Sequence, residues 1–409
     1  MTPWLALIES NTSGSGRAFA RIASLKGVRP ILMATDPSRY KYAEADGIEV
    51  FRIDTQDIAA LLGACNHLAS GNGLAGVASS SEYFVTTAAT LAAQLGLPGP
   101  NPRAVALCRN KYKQRLRLQA EGCAIPAFAP AVSVKEAVRT AQLIGFPVVV
   151  KPVSGSGSIG VRFCNRGEEV AVHAATLLQQ RNNERGLPVP RRILVESAAL
   201  GPEYSVETFH TQIIGVTQKY LGPLPDFVEI GHDYPAELPA ADQEAMQSLV
   251  LSALKALGMG WGPAHMELRL TENGPKIIEL NPRLAGGNIP ELVRLASGID
   301  LISATIDLVL ARQPDLRKSR TQHACIRFLV SETDGHFAGV TGLDEARRLP
   351  SVNSAEIYIE PGTPLIRRGD FRDRIGHVIT SAETLEDARL AAKCAMTTIK
   401  PLLQSGLEM

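Results

Sequence analysis

Four short apolar runs open the chain: WLALIES from Trp4, RPILMAT from Arg29, IEVFRI from Ile48 and GLAGVASS from Gly73. Each precedes a segment whose apolar positions recur at helical spacing, the pattern of a parallel α/β unit. The proline-rich LPGPNP, Leu97 to Pro102, then reads as a linker. Beyond it, NKYKQRLRLQAEG predicts a helix carrying Lys111, Lys113, Arg115 and Arg117. Strands are expected around Ile125–Phe128 and Val148–Lys151, and RRILVES closes that block. Long strands follow in EYSVETFH, QIIGVTQKY, PAHMELRL and PKIIELN, then two helices. From residue 313 the pattern changes again, to strands HACIRFLV, AEIYIE and GHVIT and a closing helix from Leu385 to Leu403.

A chain of 409 residues is too long for a single core. Hydrophobic residues make up 45% and charged residues 20%, as in ordinary soluble globular proteins. The 42 Lys and Arg nearly cancel the 41 Asp and Glu, so no global field recruits nucleic acid or an anionic membrane. Cys65, Cys108, Cys123, Cys164, Cys325 and Cys394 are scattered with no C-x-x-C pair, which predicts buried thiols in a reducing compartment. MTPWLALIES lacks the basic start and long apolar stretch of a signal peptide, and no apolar run is long enough to span a bilayer. A soluble, cytoplasmic protein is expected, with partners that are neither nucleic acid nor membrane.

The segment from Pro263 to Arg283, PAHMELRLTENGPKIIELNPR, reads as a hairpin. The triplet ENG suits a three-residue loop with Gly274 in the left-handed conformation. Centred on Asn273, that loop sets Glu267 opposite Glu279 and His265 opposite Asn281. Side chains alternate along strands, so these four share one face with Arg283, while Met266, Leu268, Ile278 and Leu280 form an apolar one. Directly opposed like charges destabilise a strand pair. Two carboxylates and an amide oxygen are, however, hard ligands suited to magnesium, and Arg283 adds a fork for phosphate or carboxylate. The alternative is a solvated hairpin with ordinary surface charges, against which the apolar opposite face argues. His265 stays open between a structural strand histidine and a substrate contact.

Lys151 ends the apolar strand FPVVVK, and the loop VSGSGSIG follows. A fixed cation beside Ser154, Ser156 and Gly157, whose N–H groups are free to close over an anion, suits phosphates. No G-K-[ST] ends the loop, so it is not a Walker A motif. The GVRFC that follows reads as a strand, which makes the loop a hairpin lid. NTSGSG, Asn11 to Gly16, is either an anion-accepting helix start or a plain tight turn. SSSEYF, which contains Glu82, lies at a strand's carboxyl end, where open α/β sheets place ligands.

NKYKQRL, VVVKPVSGSGSIGV, ILVESAALGPEYSVE, HMELRL and IIELNPR occur here in the order of the ATP-grasp superfamily of carboxylate–amine ligases, which residues 103–312 resemble. Within it the chain is most similar to the L-amino acid ligases that form dipeptides, in GPEYSVE, FVEIGHDYPAELP and IRRGDFRDRIGHVI. The resemblance implies an α/β and α+β multidomain chain. Its parts would be an N-terminal parallel α/β pre-grasp domain (1–102), the ATP-grasp lid (103–195) and large (196–312) subdomains, and a C-terminal α+β domain (313–409). It implies that Lys111 and Lys151 contact ATP phosphates with the Ser154, Ser156 and Gly157 loop. Glu196 and Ala199 would lie on the adenine hinge, and Glu203 would hold the ribose hydroxyls. Glu267, Glu279 and Asn281 would bind magnesium (or manganese), and Arg283 would stand beside the transferring phosphate. The hinge reads Glu196-Ser197-Ala198-Ala199 and departs from the commoner E-E-F-L pattern.

The reaction so implied activates an amino-acid carboxylate as an acyl phosphate, which an amine then displaces, giving an amide, ADP and phosphate. Lys151 and Arg283 would be its catalytic groups. Glu82, Glu229, His232, His265 and Arg283 are the candidates for choosing the two substrates. Two alternatives stand beside this reading. One is a bicarbonate-using ATP-grasp enzyme, akin to carboxyaminoimidazole-ribonucleotide synthase or biotin carboxylase. The other is a nucleotide-binding regulator without turnover. The resemblance also allows a homodimer, an assembly frequent in the superfamily.

Overall fold

The computed structural model describes residues 2–12 and 14–404. Its N-terminal sheet is parallel, in the spatial order Glu49–Arg52, Arg29–Ala34, Trp4–Ile8, Leu74–Ala78, as the four apolar runs predict. All five residues of Trp4–Ile8 are buried. Alternation along that strand sends Trp4, Ala6 and Ile8 into one core with Leu61, Phe84 and Leu91. Leu5 and Leu7 enter a second core with Phe19, Leu292 and Ile306. The second core includes the helices Ile289–Ser297 and Leu301–Val309, so the N-terminal sheet packs directly on the large subdomain. Gly76 permits a close approach there, since a Cβ would lie 2.6 Å from the Val309 side chain. Ser13, inside the NTSGSG turn, lies outside the described residues; Gly14 caps the helix Ser15–Leu25 that follows.

The lid is an antiparallel sheet in the order Phe128–Ala131, Ile193–Ser197, Val148–Pro152, Arg162–Cys164. Helices Val134–Ile144 and Gly167–Gln179 back it. Its first strand begins at Phe128, three residues later than expected, because Pro126 lacks the N–H that a ladder uses. The helix Lys111–Ala120 forms as predicted, capped by the Asn110 side chain accepting from Lys113 N.

Eight antiparallel strands make the central sheet. Their order is Gly274–Asn281, Pro263–Thr271, Glu203–Phe209, Gln212–Leu221, Glu229–Tyr234, His323–Val330, Arg374–Ala382, Val352–Ile357. One face packs on the helix Ala240–Ala256 through Met246, Val250 and Leu254, against Val206, Met266 and Leu280. The sheet runs through the boundary expected at residue 312, since Glu229–Tyr234 pairs with His323–Val330.

The closing helix stops at Thr398 and not at Leu403. Pro401 removes a donor and biases the preceding residue to extended backbone, so Lys400–Gln404 instead pairs with Gly335–Thr341. Five of the six cysteines are buried, as expected, but Cys394 is exposed on that helix. No helix among the described residues is long and apolar enough to cross a membrane.

Candidate active site

The open face of the central sheet carries its polar groups in rows, because cross-strand partners project to the same side. In one row Arg269 faces Glu203, Glu203 faces Lys219, and Lys219 faces His232. In the next, Glu279 faces Glu267 and Glu267 faces Ser205. In the third, Asn281 faces His265 and His265 faces Glu207.

The predicted register at Glu267 and His265 holds, although the turn that sets it differs. Strand pairing continues to Thr271 and Gly274, leaving the two-residue turn Glu272–Asn273, with Gly274 at φ 89°. That shorter turn alone would put Glu267 out of step with Glu279. A bulge between Glu267 and Leu268 restores it. The bulge also exchanges two side chains. Leu268 pairs with Ile277, which is fully buried in the core, and Ile278, expected there, lines the site cavity instead.

This cavity, of about 400 Å³, lies between lid and central sheet. It gathers every site residue expected from the sequence except His232 and His265. Lys151 is buried, its Nζ 2.5 Å from Glu196 Oε2. Glu196 also accepts from Arg115 Nε at 2.7 Å. Burial depresses the Lys151 ammonium, with Glu196 opposing. Burial would raise the Glu196 carboxyl, but Arg115 and Lys151 bring it below its ordinary value. Lys111 Nζ rests 2.5 Å from Glu279 Oε1 and donates to Gly155 O at 3.3 Å.

Glu82 reaches in from the N-terminal domain. Arg109 and Arg283 both pair with it, and Ser156 Oγ donates to its Oε2 at 2.6 Å. Burial would raise its carboxyl, yet Arg109 and Arg283 hold it well below the usual carboxylate range. The N-terminal domain, the Ser154–Gly160 loop and Arg283 beyond the hairpin therefore meet at one carboxylate.

The Glu203 row closes on Lys219. Its ammonium lies 2.9 Å from Glu203, 2.6 Å from Glu229 and 2.6 Å from Glu267. Glu229 and His232 are three apart, which on a regular strand would put them on opposite faces. A bulge beside Tyr220 and Leu221 turns both toward Lys219. Arg374, from the C-terminal region, also pairs with Glu229.

His232 does not line the cavity; it is fully buried with neither ring nitrogen hydrogen-bonded, and burial depresses its pKa to about 3. His265 bonds Glu207 at 2.9 Å through Nδ1. Burial opposes its charging, but Glu207 and Glu267 raise its pKa to about 9. The sequence reading missed Arg109, Arg115, Glu207, Lys219, Arg269 and Arg374. No local pattern marks them: even Lys219 stands beside Thr217, Gln218 and Tyr220 in the strand QIIGVTQKYL.

The donors at Glu267, Glu279 and Asn281 fit a hard divalent cation. The Asn281 amide oxygen faces Glu82 Oε1 and Glu279 Oε1 at 3.1 Å each, and the amide turned over would donate to both. A metal among these oxygens would keep the amide as it stands.

Comparison with known proteins agrees with this architecture. An ATP-grasp domain model matches residues 144–291, and the model for L-amino acid ligase C-terminal domain 2 matches residues 327–403. An uncharacterized protein, y4rH, of Sinorhizobium fredii is 38% identical over 395 residues, covering 97% of this chain and 82% of its own. Carnosine synthase 1 of Gallus gallus is 30% identical over 267 residues, 61% of this chain and 29% of its own length. The crystal structure of an L-amino acid ligase from Bacillus licheniformis matches 99% of both chains with a TM-score of 0.82 at 21% identity, a likeness of fold. The chain belongs to the ATP-grasp superfamily of carboxylate–amine ligases. Its C-terminal domain matches the L-amino acid ligase C-terminal domain 2, and related ATP-grasp ligases form carbon–nitrogen bonds.

Proposed function

We propose that this protein joins the carboxylate of an amino acid to an amine, probed first as a second amino acid, through an acyl phosphate, with release of ADP and phosphate. The observation that carries the reading is the convergence of Lys111, Lys151 and Arg283 on Glu267, Glu279 and Asn281 in one cavity.

Lys111 and Lys151 rest on Glu279 and Glu196, from which ATP phosphates would draw them. A magnesium or manganese ion held by Glu267, Glu279 and Asn281 would neutralise phosphate oxygens. Arg283 would face the transferring phosphate, where charge develops, and stabilise the transition state more than the ground state. Ser154, Ser156 and Gly157 would cover the phosphates through backbone N–H groups, and their loop would exclude water that otherwise hydrolyses the acyl phosphate. Glu203 would take the ribose and the Glu196–Ala199 hinge the adenine. Glu82 and Glu229 border the space where the two substrates would meet.

Nucleotide chromatography with mass analysis over a matrix of paired amino acids tests the proposal. ADP in step with a dipeptide mass is the expected result. AMP as the stoichiometric product would end the acyl-phosphate route. ADP that depends on bicarbonate and not on amino acids would favour a bicarbonate-using enzyme instead.

A further inference from the structure

Lys219 has no role in the reading above, yet it occupies the middle of the site. Its side chain is 2% exposed, and its ammonium contacts Glu203, Glu229 and Glu267 at 2.9, 2.6 and 2.6 Å. An ammonium has three protons and no acceptor, so one hydrogen bond to each carboxylate uses its full capacity. Oxygens of the same three carboxylates lie within 4.8 Å of one another, a spacing at which they could all ligate one metal ion. Three carboxylate oxygens are the donor set that hard divalent cations take. The lysine thus fills, as a tethered cation, a position that free metal would otherwise compete for.

We propose that Lys219 is a positioning residue that ties the ribose-side, metal-side and substrate-side carboxylates to one ammonium and withholds them from free divalent ions. The proposal rests on Glu267 being a metal ligand. Because Lys219 is covalently held beside its partners, its effective concentration there is on the order of millimolar or higher. A divalent ion alone must displace it from Glu267 and gains only protein oxygens. An ion arriving with nucleotide brings phosphate oxygens that complete its shell. Metal loading thereby becomes contingent on nucleotide. The arrangement also fixes geometry: Glu203 and Glu229 come from strands on either side of Lys219, and Glu267 from one strand further.

Titration of the full chain with Mn²⁺, following free Mn²⁺ by electron paramagnetic resonance, tests this without substrate or turnover. The wild-type protein without nucleotide should show no site tighter than roughly millimolar, and a non-hydrolysable ATP analogue should create one. Lys219→Met, similar in length and uncharged, should gain a nucleotide-independent site at least about tenfold tighter, and adding Glu267→Gln should abolish that gain. A Lys219→Met variant with a native melting curve and no gained Mn²⁺ overturns the proposal. So does wild-type protein that binds Mn²⁺ tightly through Glu267 without nucleotide. Should the single variant fail to fold, Lys219→Met with Glu229→Gln lowers the uncompensated charge and must still show a nucleotide-independent gain that Glu267→Gln removes. A chain that proves not to be a ligase could still pass these titrations, and a proven ligase could fail them.

Discussion

Arg283 illustrates how a single residue's surroundings alter what its mutation reports. It is half-buried and paired with the buried Glu82, which Arg109 also holds. Burial disfavours its charge, but Glu82 raises its pKa above the ordinary arginine value. Arg283→Ala would therefore weaken an ion-pair network around a buried carboxylate as well as remove the proposed catalytic donor, at a stability cost of roughly 3–5 kcal/mol. Arg283→Lys separates the two effects, since the charge on Glu82 stays compensated while the planar fork is lost. We expect this variant to melt close to wild type, to keep ATP affinity within about threefold, and to lose about tenfold or more in kcat. Calorimetry beside steady-state rates checks it; lost ATP binding at unchanged kcat would make Arg283 a nucleotide anchor. Glu267, Glu279, Asn281 and Arg283 were legible because they share one hairpin and hence one periodicity. Lys219, Arg109 and Arg374 were not, because their partners come from strands and domains that no local pattern connects.

Among the elements, the lid loop Ser154–Gly160 is fastened at both sides. Ser156 bonds Glu82, and Gly157 O accepts from Phe371 N at 3.3 Å. The Phe371 ring covers Gly157, whose φ of 63° already favours glycine and where any Cβ would collide with the ring. Phe371→Ala should release that fastening. Limited proteolysis without nucleotide should then cut within 154–160 several-fold faster than in wild type, and an ATP analogue should restore protection. Equal cleavage of variant and wild type would show that Phe371 does not hold the loop. The Gly/Ser composition announces a hairpin loop from the sequence alone, but Phe371 follows from tertiary contact. The hairpin Pro263–Asn281 is instructive in another way. A two-residue turn and a compensating bulge deliver the register that a three-residue loop would have given, and only the exchange of Ile277 for Ile278 betrays the difference.

For the whole molecule, the decisive feature is the seam between Glu229–Tyr234 and His323–Val330. Composition and pattern change near residue 312, so the sequence suggests a boundary there, while backbone pairing across it leaves no such trace. Four residue pairs join the strands. Asp233, fully buried, is held by Arg327 and Arg389, and Glu229 by Arg374, all from beyond residue 312. A chain stopped at 312 would expose an unpaired strand edge and leave both carboxylates short of cations. We expect it to accumulate in the insoluble fraction on expression, or to elute as large oligomers. A monomeric, ATP-binding 1–312 fragment on size exclusion would overturn this.

The same seam bears on inheritance and engineering. A C-terminal quarter that donates strands and arginines to its neighbour cannot be shuffled between ligases as a self-contained cassette. A chimera joined at residue 312 must import matched residues at Asp233 and Glu229 together with the incoming strands. A crossover at the linker before Pro102 would divide no sheet, but it must carry Glu82 together with Arg109 and Arg283.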